Sequence, residues 1–191
     1  MHKKIGMILG FLLLTSISVV KAEETPVQLS LWHPVQLFDQ DYSVGGLRLN
    51  LIYGVNSDVH GLDLGIVNKT TGNQGGLQIG AVNLVDGYFH GWQEGYVNIV
   101  GGDFVGLQEA YFNSVHGNFC GVQYGFVNLT KGTFKGVQIA WAWNSADEGM
   151  RGLQLGLVNT TGDLNGVQIG LVNINGNKRP LGFFPIVNAS F

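Results

Sequence analysis

From Gly46 onward, large apolar residues alternate with small or polar ones in blocks that repeat along the chain. Gly76-Leu-Gln-Ile-Gly-Ala-Val-Asn83 and Gly152-Leu-Gln-Leu-Gly-Leu-Val-Asn159 are typical blocks. Counting the first Gly as position 1, positions 2, 4 and 6 are large, position 3 is Gln, position 5 is Gly and position 8 is Asn. Blocks begin at Gly46, Gly61, Gly76, Gly91, Gly106, Gly121, Gly136, Gly152 and Gly166, at spacings of 15 six times, then 16 and 14. Self-similarity at a fixed period marks a repeat architecture. A period of two within each block predicts a strand with one buried face. Turn dipeptides follow, such as Asp86-Gly87 and Gly101-Gly102, where a sharp reversal is expected to need positive φ. No 3.6-residue period occurs beyond the N-terminal segment, so the chain is expected to be all-β.

Two architectures fit. In a repeat β-solenoid of about nine 15-residue units with irregular caps, each block is one coil, and equivalent side chains stack at the ~4.8 Å strand spacing. The Gln and Asn columns would then hydrogen-bond along their length, as amide ladders do. In an antiparallel β-meander or barrel, the Gly dipeptides would be hairpin turns. A final Phe191 preceded by alternating residues suits an outer-membrane barrel strand, but Glu94 and Glu109 on the large-residue face oppose lipid exposure. The solenoid is the preferred reading. Its first block is degenerate, with Arg48 in the Gln column and Tyr53 at the Asn position. Asn144 is displaced by one within the 16-residue block. The expected organisation is 1–22 leader, 23–45 N-terminal cap, 46–180 nine-unit repeat, and 181–191 a partial tenth unit and cap. Lys178-Arg179-Pro180 and Pro185 interrupt the pattern there, since Pro cannot donate to a ladder.

Residues 1–22 read as a secretory signal peptide: a Lys3-Lys4 start, an apolar Ile5–Val20 stretch, and small residues at Val20 and Ala22. An exported protein of the bacterial periplasm, outer membrane or cell surface is expected. Its cleavage would take Lys3, Lys4 and Lys21 away, leaving seven Lys and Arg against thirteen Asp and Glu. With no basic stripe, nucleic acid is not an expected partner. At 45% hydrophobic residues the chain is not a disordered one, and the single Cys120 excludes a disulfide framework.

The Gly152–Asn159 and Gly166–Asn173 blocks resemble the G-L-Q-I-G-L-V-N units of bacterial exported surface-repeat proteins. The opening Val27-Gln-Leu-Ser-Leu-Trp32 and the closing Phe-Phe-Pro-Ile-Val-Asn188 stretches are similar to that group as well. The resemblance spans nearly all of the chain after the leader. It implies an exported envelope or surface protein and supplies no catalytic residue.

Chemistry-bearing residues are sparse. His60, His90 and His116 lack the spacing of a zinc site and read as solvated turn residues. Cys120 reads as a buried or half-buried thiol. No catalytic residue, metal site or cofactor is expected, and the protein is read as a non-enzyme offering a scaffold or interaction surface. One constellation departs from the repeat. Position 4 reads Glu94, Glu109 and Tyr124 in three consecutive blocks, and position 6 turns aromatic at Tyr96, Tyr111, Phe126 and Trp141. Trp92 precedes them at position 2. Stacked coils would set the carboxylates about 5 Å apart, and aromatics beside acids suit sugar binding. Trp92, Glu94, Tyr96, Glu109, Tyr111 and Tyr124 are therefore candidate ligand-binding residues. The alternatives are a wider part of the core or a dimer contact. Candidate partners are an envelope glycan or protein, with association to the outer membrane a further expectation.

Overall fold

The computed structural model describes residues 23–177 and 182–191; the expected leader and the Lys178-Arg179-Pro180 interruption lie outside the described residues. Each block stacks in parallel on the one before it, column on column. Gly61 pairs with Gly76, Gln93 with Gln108, and Asn98 with Asn113. The protein is a β-solenoid of about ten turns, a rod on the order of 45–50 Å long at the strand spacing. An antiparallel meander would pair neighbouring blocks head to tail. Among the described residues, antiparallel pairing is confined to the two ends of the rod.

The alternation has an unexpected polarity. The Gln side chains of column 3 and the Asn side chains of column 8 point inward and are fully buried. The large residues of columns 2, 4 and 6 point outward, with Ile66, Tyr96, Tyr111, Trp141 and Leu157 each more than half exposed. Apolar filling comes instead from two other columns. Phe89, Phe104, Phe119 and Phe134, two residues before successive block glycines, stack nearly parallel with centroids 4.6–4.9 Å apart. Val85, Val100 and Val115 form the second column.

The buried amides of these two columns are tolerated because each finds a partner one coil away. Gln93 Nε2 donates to Gln78 Oε1 at 2.7 Å, Gln108 to Gln93 at 2.8 Å, and the series continues to Gln168. The Asn ladder runs the other way: Asn68 Nδ2 donates to Asn83 Oδ1, Asn83 to Asn98, and so on to Asn173. From Asn68 to Asn159 each Asn also donates to a position-4 carbonyl of the next coil, as Asn83 does to the Glu94 backbone oxygen at 2.7 Å, and Asn173 donates to the Phe184 carbonyl of the closing segment. The two ladders therefore carry opposed dipoles.

Both ladders have defined ends. Gln78 donates to the Asp63 carboxylate at 2.8 Å. Arg48 answers that charge with two bonds, Nε to Oδ1 at 2.7 Å and Nη2 to Oδ2 at 2.6 Å, in a pair that is wholly buried. An ionised carboxylate only accepts, so Asp63 obliges the amide on it to present its NH₂ group, and each later Gln inherits that direction. At the opposite end Asn188 Nδ2 donates to Gln168 Oε1 at 2.8 Å.

Several local expectations are corrected. Gly54, not Tyr53, pairs with Asn68, because a bulge lies between Asn50 and Tyr53. The Asn50 amide takes the vacant place and donates to Asn68 at 2.7 Å. The extra residue of the 16-residue block is absorbed by a bulge between Ala140 and Trp143, which keeps Asn144 in the ladder. The closing strand Phe183–Ser190 enters antiparallel to the ninth coil instead of as a further parallel rung, so Asn188 faces Gln168. The positive-φ glycines are the block-starting ones from Gly61 to Gly166. Turn glycines such as Gly87 and Gly102 are required by close stacking: a Cβ would come within 2.6 and 2.8 Å of the carbonyl oxygen one coil earlier. Cys120 is exposed, because its column faces solvent.

Ahead of the first block, Glu24–Trp32 is itself a stacked rung, with Gln28 beside Arg48 and Leu29 beside Leu49. The Gln28 amide closes the end of the rod by donating to the Phe38 carbonyl at 2.8 Å and accepting from the Phe38 N–H at 3.1 Å.

Candidate functional site

Column 5 turns inward, against the buried Asn ladder, as Gly80 does beside Asn68 and Asn83, so the outer surface sinks between the side chains of columns 4 and 6. The result is a groove along the rod, built in four overlapping stretches. The first, about 750 Å³, lies between Leu49, Leu51, Leu64 and Ile66 and is closed at its end by Leu29, Leu31, Val35 and Leu37. The next, about 440 Å³, shares Ile66 with the first and runs past Ile79 and Ala81 to Glu94 and Tyr96. The third, about 290 Å³, is walled by Glu94, Tyr96, Glu109, Tyr111, Tyr124, Phe126 and Trp141. The last, about 330 Å³, continues from Tyr124 and Trp141 to Leu155 and Leu157.

Five of the six sequence-predicted residues therefore meet in one section of the groove. Glu94 stands beside Glu109 in register, one rung or about 4.8 Å away along the axis, and both are half-buried. Tyr96 and Tyr111 stack with centroids 5.8 Å apart. Trp141 Nε1 donates to the Tyr124 hydroxyl at 3.2 Å, tying the two walls together across the groove. Trp92 is the exception: it sits on column 2 between Leu77 and Leu107, outside the lining. Phe126 and Trp141 replace it. Their place on column 6 was readable, but not that columns 4 and 6 enclose a groove.

Among the described residues the ion pairs are Arg48–Asp63 and Lys69–Asp86, so neither glutamate has a cation of this chain beside it. No group of three or more potential metal ligands occurs among the described residues. One titration moves clearly, and it lies at the N-terminal end of the rod. A hydrogen bond to the Glu23 carboxylate, together with that group's charge, raises the Tyr42 phenol above its ordinary pKa. His60, His90 and His116 are all exposed and scattered along the rod.

Comparison with protein-family models, curated proteins and solved structures finds no match to this chain.

Proposed function

We propose that the protein is a non-enzymatic, exported solenoid of the bacterial envelope or cell surface, and that its outer groove is its interaction surface. The observation that carries this reading is the inversion of the coil. The interior is filled by self-satisfied amide ladders and a phenylalanine stack, while large apolar and aromatic side chains line a continuous groove in solvent. Monomeric proteins rarely leave such contiguous apolar surface without a binding role. The apolar N-terminal leader and the resemblance to exported surface-repeat proteins support the address. A glycan-binding reading is favoured by one observation, the Tyr96–Tyr111 stack beside two carboxylates.

Sedimentation with isolated envelopes tests the proposal. The purified protein is expected to pellet with envelope fragments of the producing bacterium, and Ile66→Asn or Trp141→Ala to weaken this severalfold without changing the circular dichroism. A protein that stays in the supernatant contradicts the reading. A glycan array tests the second reading, with Tyr111→Ala expected to abolish any signal.

A further inference from the structure

The groove is chemically divided, and the division describes a ligand. On the N-terminal side of Glu94 its walls are aliphatic, from Leu29 through Leu49, Leu64 and Ile66 to Ile79. The polar residues of that section, Ser30, Gln36 and Asn50, spend their donors within the chain, on the Tyr53, Phe38 and Val55 carbonyls and on Asn68. No side-chain donor is left over of the kind a sugar chain would require along its length. From the Glu94 rung to the Leu29 rung is four strand spacings, about 19 Å, the span of a long alkyl chain. The hairpin residues Val35 and Leu37 close the far end. At the near end stand two adjacent carboxylates without a cation among the described residues, framed by Tyr96, Tyr111 and Trp141. Like charges one rung apart repel, and a bound cation would relieve that repulsion. Aromatic faces beside carboxylates are suited to an ammonium head, above all a quaternary one.

We propose that the groove binds a cationic amphiphile: an aliphatic chain laid along the Leu29–Ile79 section, with its ammonium head over Glu94 and Glu109. This rests on the groove being the interaction surface and names the class of ligand that it takes. Charge complementarity at one end and aliphatic walls at the other fix the orientation of the chain.

The test uses the purified protein and three ligands of equal chain length below their micellar concentrations: decyltrimethylammonium, decanol and decanoate. Binding is followed by calorimetry and by fluorescence of Trp141, which lines the head section. Decyltrimethylammonium is expected to bind at least tenfold more tightly than decanol, and decanoate least. Burial of a methylene is worth about 0.8 kcal/mol, so affinity should rise about two- to fourfold with each methylene added to the ammonium series. Glu94→Gln with Glu109→Gln, both at half-exposed positions, should reduce the ammonium to the level of decanol and leave decanol unchanged. Ile66→Asn should weaken both. Equal binding of decanoate, binding of choline as tight as that of the decyl ligand, or an unaffected double-Gln variant would overturn the proposal. A protein that pellets with envelopes and binds none of the three overturns the ligand assignment alone. A protein that binds the ammonium and fails to pellet supports the assignment and removes the envelope reading.

Discussion

Gly125 shows how narrowly single positions are set. A Cβ there would lie 2.8 Å from Asn128 Oδ1 and 2.9 Å from Asn113 Nδ2, and against the Ala110 carbonyl. The same column nevertheless holds Ala110 and Ala140, both buried, so the backbone yields to one methyl group. Gly125→Ala should be mild and Gly125→Val should cost at least ~1 kcal/mol, in the range of overpacking changes, read from chemical denaturation midpoints. Gln108 lies between two partners. Gln108→Leu leaves the Gln123 amide without its acceptor and Gln93 Oε1 without its donor. Each buried unsatisfied group costs about 1–3 kcal/mol, so the variant should lose roughly 2–5 kcal/mol. Unchanged stability would mean the ladder contributes nothing. Asp63→Ala strands the buried Arg48 charge and should cost about 3–5 kcal/mol. Arg48→Gln combined with Asp63→Gln restores the repeat residue at both rungs and should recover most of that loss. A double variant no better than the single one would contradict the ladder-terminus role.

At the scale of the element, the strand Phe183–Ser190 blunts what would otherwise be an open edge of the ninth coil. Unpaired edges recruit other chains. Pro185 sits within the register shift between Gly170 and Asn173, where no ladder donor is called for. Deleting 182–191 should leave the circular dichroism largely unchanged and shift the protein to concentration-dependent oligomers in size-exclusion chromatography. A deletion that remains monomeric would show that the ninth coil protects itself. What was readable from sequence at this scale was the strand pattern, its period and the amide columns. Spacing alone repeats too regularly to be anything other than stacking or meandering units. The inward face was not readable from hydropathy, because alternation defines two faces without ranking them. The clue lay in variability: column 4 admits Leu, Glu and Tyr, whereas column 3 stays Gln from Gln78 to Gln168. Stacking one coil on the next lets a buried amide pair along the axis, so burial does not leave its hydrogen bonds unmade. The bulges at Asn50–Tyr53 and Ala140–Trp143 and the reversal of the last strand were hidden for a different reason. They depend on how a local insertion is accommodated by the neighbouring coil.

At the scale of the molecule, each coil touches only its neighbours, so stability should be nearly a sum of coils and interfaces. The candidate site follows from the same regularity. Its residues are consecutive members of two columns, which is why five of them could be named from the period. The groove that joins them required knowing that column 5 turns inward. Removing Gly106–Cys120 tests the parallel stack most directly. The deletion joins Val105 to Gly121 and takes one member from every column, among them Gln108, Asn113 and Phe119. The parallel solenoid predicts a soluble, folded protein with the same β-sheet circular dichroism, lower stability, and a rod shorter by about 4.8 Å in small-angle scattering. Aggregation of this one-coil deletion, with normal folding of the two-coil deletion Gly106–Lys135, would show that successive blocks alternate in direction and would contradict the account.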